Sequence, residues 1–188
     1  RGLGDVYKRQ TFFLIGVGLL YMMTGTLNLA DLSARLPAVS ATRTVQTALA
    51  FLVVGIGLKL ALFPLHLWLP NAYAFAPSAV TAFFAATATK VAVYVLLRFM
   101  LTVFGAAFAF EVMPLGIIFV VLGAAAVLST SVVAIFQDDI KRMLAYSSVA
   151  QIGYMILGIS MSSVAGLTAS IVHLFNHCLL YTSDAADD

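Results

Sequence analysis

Residues 55–70 read GIGLKLALFPLHLWLP, an apolar stretch that contains a lysine, a histidine and two prolines. It belongs to a longer apolar segment, residues 45–69, which can cross about 30 Å of hydrocarbon as a helix. Pro64 lies inside that segment, and a proline in a helix interior frees the carbonyl four residues earlier, here that of Leu60. The stretch therefore predicts a membrane helix that is discontinuous around Pro64.

The composition of the whole chain indicates a membrane protein and excludes an ordinary water-soluble enzyme. Of the 188 residues, 62% are hydrophobic and 10% are charged, and the mean hydropathy is +1.04. Soluble domains carry about a quarter charged residues. Between Thr44 and Phe110 the only charged residues are Lys59, Lys90 and Arg98. The net charge of +2 forms no basic stripe, so no nucleic-acid partner is expected.

Six apolar segments of helical length follow one another along the chain, without a low-complexity linker. None alternates in the way of a β-barrel strand. The predicted fold class is therefore all-α, a polytopic transmembrane helix bundle of about six segments with one discontinuous helix, surrounded by the lipid bilayer. The segments cover residues 11–29, 45–69, 79–104, 112–136, 143–160 and 164–180.

The two ends of the chain differ from this apolar body. Residues 1–10 and 181–188 are polar, rich in charge and joined abruptly to the apolar segments. Both resemble translated non-native sequence, and we expect them to be extensions outside the domain, the second beginning as early as Cys178. The transmembrane domain is accordingly predicted to occupy residues 11–180 and to be a fragment of a larger subunit.

Two lysines lie within consecutive apolar segments that contain no acidic residue. Lys59 is near the middle of the second segment, and Lys90 lies in the third with Thr87 and Tyr94 at i−3 and i+4, which predicts a hydroxyl face around it. A lysine at bilayer depth costs roughly 2.5 to 3.5 kcal/mol, and burial disfavours its charged form. Each is a candidate proton carrier. The alternative is a lysine that pairs with a carboxylate or carbonyl only to hold helices together.

Histidines occur at two places in the apolar segments. His173 and His177 are four residues apart and share one helix face, which suits a proton relay because an imidazole both accepts and donates protons near neutral pH. Structural histidines and metal or haem ligands are the alternatives. His66 is expected near the membrane boundary, either as a proton entry group or as an interfacial histidine. Without a third ligand, a nucleophile with a base or a nucleotide loop, we predict no metal, no cofactor and no catalytic centre.

Two runs of sequence resemble one family of membrane proteins. The first is residues 55–99, GIGLKLALFPLHLWLPNAYAFAPSAVTAFFAATATKVAVYVLLRF. The second is residues 134–160, AIFQDDIKRMLAYSSVAQIGYMILGIS, followed by residues 166–177, GLTASIVHLFNH. Together they resemble, in the same order, the antiporter-like membrane subunits shared by Mrp-type cation/proton antiporters and respiratory complex I. The LFPLHLWLPNAY and APSAVTAFF stretches look most like the D-type Mrp subunit.

The resemblance implies proton translocation through a chain of buried groups. Lys59 corresponds to the central lysine beside the broken helix, Lys90 to the lysine of the next helix, and His173 and His177 to a histidine pair further along. The resemblance also implies coupling to Na⁺ or another monovalent cation in an Mrp-type complex, or to quinone reduction in complex I. Other membrane subunits, protons and Na⁺ are the expected partners. The expected location is the bacterial inner membrane, and the expected role is that of a transporter subunit.

The sequence departs from the family pattern in two ways. The family's partner glutamate belongs to a helix before Thr11, and Tyr181 stands where the family usually places a lysine.

Two other classes of function stay open from the residues alone. One is a structural membrane scaffold in which the lysines only hold helices together, and the other is a redox enzyme with His173 and His177 as ligands.

Overall fold

The computed structural model describes the backbone of residues 2–184 and the side chains of residues 10–179. Over that range the chain consists of helices and turns without a strand, which confirms the all-α prediction. The predicted extensions fall largely outside the described side chains, and their boundaries stay predictions. The α-helices are α1 (Gly2–Thr24), α2 (Leu29–Val39), α3 (Arg43–Leu60), α4 (Trp68–Phe75), α5 (Ser78–Leu97), α6 (Leu115–Ile135), α7 (Ile140–Ser160) and α8 (Val164–Asp184).

Helix length and composition identify an integral membrane protein. Four spans qualify in the described part of the chain: α3, α5 together with the π-helical segment Arg98–Val103 that continues it, α6 and α7. Residues 10–24 of α1 and α2 together would make a fifth, although the two helices are bent by 67°. The apolar part of α8, Val164–Leu179, is shorter. Each of the six predicted apolar segments contains a helix, but only four spans, or five with the bent pair, are long and apolar enough to cross a membrane in the described part of the chain.

The second apolar segment is discontinuous, as predicted. The helix α3 ends at Leu60, Ala61 has a φ of 60°, and α4 begins only at Trp68. A residue with positive φ cannot continue a right-handed helix, and Pro64, which follows a cis peptide bond, has no N–H to donate back to Leu60. Residues 61–67 form turns instead.

Contacts divide the chain into two units. Among residues 2–184, the first contains residues 2–59 and 92–114, and the second contains residues 60–91 and 115–184. In the second unit α7 packs against α4, α6 and α8. Ala61, Leu69, Tyr73, Ala85, Ala145 and Val149 form a buried apolar cluster there.

The helices α7 and α8 approach closely because small residues face each other. A Cβ placed on Gly158 would lie 2.8 Å from the carbonyl oxygen of Gly166, which is closer than real Cβ contacts. In the same interface the Ser170 hydroxyl donates to the carbonyl oxygen of Met155 at 2.8 Å. This packing sets the register of the two helices and brings the half of α8 that carries the histidines against the middle of α7.

Candidate functional site

Lys59 lies in the last turn of α3, immediately before the break, in the first unit. Its side chain is exposed rather than buried and lines a cavity of about 420 Å³ whose walls include Phe13, Ile56 and Val95. From the sequence, Lys59 is expected near the middle of a membrane segment. It is instead exposed because α3 ends one residue later, at Leu60. A cavity of this size can hold several water molecules.

Lys90 is buried in the second unit, with 5% of its surface exposed. Its Nζ donates to the carbonyl oxygen of Ala85 at 2.5 Å, within the same helix. The predicted hydroxyl face does not form, because Thr87 and Tyr94 are exposed on the helix while the lysine stem turns back toward Ala85. Thr89 is the buried hydroxyl beside the lysine, and its Oγ1 has no hydrogen-bond partner among the described residues.

His173 and His177 lie one turn apart on α8, with their ring centroids 6.5 Å apart. His177 is buried and His173 is half-buried. The Nε2 atom of His173 lies 2.7 Å from the Oε1 atom of Gln151 on α7, and the Tyr154 ring lies edge-on at 6.0 Å. The histidine pair is therefore held against α7.

The buried lysine and the histidine pair meet in the second unit. Lys90 interacts electrostatically with His177, and the rings of His173 and His177 face each other on α8. The Cys178 thiol donates to the carbonyl oxygen of Ala86 at 3.5 Å, which places this part of α8 against α5. Three of the four predicted proton carriers thus form one cluster, whereas Lys59 belongs to the first unit.

His66 occupies the break between α3 and α4 and is buried in the second unit, with 6% of its surface exposed. Its ring stacks on Phe63 at a centroid distance of 5.3 Å and meets Tyr146 of α7 edge-on at 6.3 Å. Its Nδ1 atom is buried and has no hydrogen-bond partner in the described part of the chain. An aromatic sandwich therefore holds this histidine, with one ring nitrogen available to a proton.

Sequence reasoning missed two polar residues of the second unit. Gln151 and Thr89 both stand in apolar segments, and a polar residue in such a segment is the signal by which they could have been found. Among the side chains of residues 10–179, no group of three or more His, Cys, Asp or Glu residues is arranged to hold a metal ion. Amine, imidazole and amide groups can all form hydrogen bonds, and the first two can also carry a proton.

Comparisons with known proteins identify similar chains in two kinds of membrane complex. Residues 9–183 match the family described as NADH:quinone oxidoreductase/Mrp antiporter, TM. The chain is 47% identical over 169 residues to NADH-quinone oxidoreductase subunit N of Desulforudis audaxviator, covering 90% of this chain and 33% of that protein. It is 30% identical over 174 residues to the D-type subunit of the Na(+)/H(+) antiporter of Alkalihalophilus pseudofirmus, covering 89% and 33%.

The fold has a counterpart in a solved membrane complex. A chain of the Mrp complex from Dietzia sp. is 33% identical and superposes with a TM-score of 0.84, over 95% of this chain and 32% of that one. This chain therefore spans about a third of the length of the curated relatives it matches.

Proposed function

This chain belongs to the NADH:quinone oxidoreductase/Mrp antiporter transmembrane family, and from that premise we propose that it is part of a subunit that translocates protons over Lys59, Lys90, His173 and His177. The observation that carries the proposal is the cluster of the second unit, where a buried lysine lies beside a histidine pair. Ionisable groups inside a membrane protein are costly, and they mark proton and ion pathways.

The contacts of Lys90 suit a group that gains and loses a proton. Its amine donates to the backbone carbonyl of Ala85, and a carbonyl accepts a hydrogen bond from a charged or a neutral amine alike. The same contact can therefore hold the amine before and after it releases a proton.

In the proposed mechanism Lys59 takes a proton from water in the cavity that it lines. The proton then moves through water to Lys90 and onward to His173 and His177. No covalent bond is made or broken apart from those to the moving proton. A carboxylate that approached Lys59 would raise its affinity for the proton, and the departure of that carboxylate would lower it.

We propose that this movement is coupled to Na⁺ or another monovalent cation passing the opposite way in an Mrp-type complex of the bacterial inner membrane. The superposition on a chain of the Mrp complex and the likeness to the D-type subunit of a Na(+)/H(+) antiporter support this assignment. A second candidate is a proton-pumping subunit of NADH:quinone oxidoreductase, which the 47% identity to a subunit N favours.

The first test replaces Lys59 in the full-length parent subunit within its complex. In everted membrane vesicles, Lys59→Met should abolish proton movement while the subunit still assembles, because methionine has a similar length and cannot carry a proton. Lys141→Met, which removes a lysine whose Nζ donates to the carbonyl oxygen of Ala76, is the matched control and should transport at the parental rate. Parental transport by Lys59→Met would instead assign the lysine a scaffold role.

A second measurement separates the two complexes in the same vesicles. For the Mrp-type assignment, added Na⁺ should drive proton movement without NADH or quinone. For the complex I assignment, proton movement should require NADH oxidation with a quinone acceptor and should not respond to Na⁺ alone. If proton movement in the parent requires NADH oxidation, the Mrp-type assignment is wrong.

A further inference from the structure

Gln151 of α7 makes a side-chain hydrogen bond to one of the proposed proton carriers. Its Oε1 atom lies 2.7 Å from Nε2 of His173, and both side chains are half-buried. An amide oxygen can only accept a hydrogen bond. With the Gln151 amide in this orientation, the Nε2 atom of neutral His173 carries the proton and donates, which leaves Nδ1 as the acceptor.

We propose that Gln151 is a positioning residue that fixes the tautomer of His173 and makes Nδ1 the nitrogen that takes up the moving proton. This inference rests on the proposed proton path and deepens it. A proton that reaches Nδ1 gives an imidazolium whose Nε2–H still donates to Gln151. Because an amide is not a proton acceptor at neutral pH, that proton also has to leave from Nδ1.

The Gln151 side chain carries no charge, and this matters because other titratable groups lie near His173. The groups that face His173 are Tyr154 on α7 and His177 on α8, and Lys90 on α5 acts on His177. A carboxylate in place of Gln151 would stabilise the imidazolium and retain the proton. An amide orients the ring without holding its charge, so His173 can release the proton toward its neighbours.

The helix interface gives this contact a fixed register. The contact between Gln151 and His173 lies on the same pair of helices as the hydrogen bond from Ser170 to Met155 and the close approach of Gly158 to Gly166. The three contacts pair residues in antiparallel order along α7 and α8. Sliding of one helix would break all of them together, so the geometry of Gln151 and His173 is built into the packing.

The experiment uses the full-length parent complex in everted vesicles and measures proton movement across a range of pH. Gln151→Leu should lower the transport rate about tenfold, because the imidazole loses the group that orients it. Gln151→Glu should transport within about twofold of the parent at its optimum, with its half-maximal rate displaced to higher pH, because a carboxylate accepts the same hydrogen bond and holds the added proton more tightly. Gln46→Leu, at a half-buried glutamine of α3, is the matched control and should keep the parental rate and profile.

The outcomes separate this inference from the proton path on which it rests. If His173→Leu transports like the parent, the path through His173 is wrong. If His173→Leu abolishes transport while Gln151→Leu and Gln151→Glu both keep the parental rate and pH profile, Gln151 has no positioning role. If Gln151→Leu does not assemble, the pH displacement in Gln151→Glu decides: its presence supports the inference and its absence overturns it.

Discussion

The two lysines of the proposed path meet opposite environments. Lys90 is buried with its amine on a backbone carbonyl, whereas Lys59 is exposed at the end of a helix beside a cavity. In the proposed path, Lys59 is therefore the lysine that meets water, and Lys90 lies among protein groups.

A substitution at His66 can separate the packing role of this residue from a role in proton transfer. His66→Phe should preserve the aromatic sandwich with Phe63 and Tyr146 and remove a buried nitrogen that has no hydrogen-bond partner among the described residues. If His66 is a proton entry group, the variant should be as thermally stable as the parent while its proton movement falls about a hundredfold.

The matched variant Phe63→Leu should give the reverse pattern. It weakens the stacking on His66 and lowers thermal stability, but it keeps the imidazole and therefore the transport. Both properties are measured on the assembled complex, by heat-induced loss of the complex and by proton movement in vesicles. Parental transport by His66→Phe would leave His66 with a packing role alone.

At the scale of elements, α7 is the central helix of the second unit. Glycines allow its neighbours to come close: Gly153 lies against Gly123 of α6, and Gly158 lies against Gly166 of α8. A small-residue interface of this kind is typical of helix pairs in membranes. The same closeness brings His173 of α8 within hydrogen-bond distance of Gln151.

Gly158→Ala tests this interface. The new Cβ would meet the Ser170 hydroxyl and lie 2.8 Å from the Gly166 carbonyl oxygen, so the helices must separate. We expect a loss of about 1 to 3 kcal/mol in stability, measured as a lower temperature for heat-induced loss of the assembled complex. Gly18→Ala is the control, because a Cβ there would meet nothing within 4 Å. An unchanged temperature for Gly158→Ala would contradict the close packing of α7 and α8.

At the scale of the whole molecule, large apolar side chains face outward. The helix α6 exposes Ile117, Val121, Leu128 and Ile135, among others. A water-soluble protein rarely exposes apolar surface so continuously along one element, whereas a lipid bilayer solvates it. The outward face of α6 is therefore the face that we expect to meet lipid.

Leu128→Arg tests the contact of α6 with lipid. Leu128 is 70% exposed within a helix that qualifies as a span, and an arginine at bilayer depth costs about 2.5 to 3.5 kcal/mol. We expect the assembled, membrane-inserted fraction to fall strongly, as measured by membrane extraction and native electrophoresis. Gln137→Arg, at a residue after the end of α6, should insert normally. Normal insertion of Leu128→Arg would place this face of α6 away from lipid.

The fold class and the helix break follow from local properties of the sequence. Apolar segments of helical length predict spans wherever they occur, because the bilayer requires every backbone group to be paired within its own helix. Pro64 predicts the interruption through the N–H that it lacks, and the structure places the interruption there. The isolated lysines and histidines could be singled out for the same reason, since charge is rare and costly in such segments.

The sequence does not show which side chains are in contact with each other or which are buried. Lys59 and Lys90 look alike along the chain, yet one is exposed at a helix end and the other is buried against a carbonyl. Gln151 stands more than twenty residues before His173, and only the packing of α7 on α8 brings their side chains together. The composition and periodicity of a segment predict a single helix, whereas the burial and the hydrogen-bond partners of its side chains depend on neighbouring helices. Local sequence therefore predicts the helices and the charged or polar residues within them, whereas the contacts of those residues depend on how the helices pack.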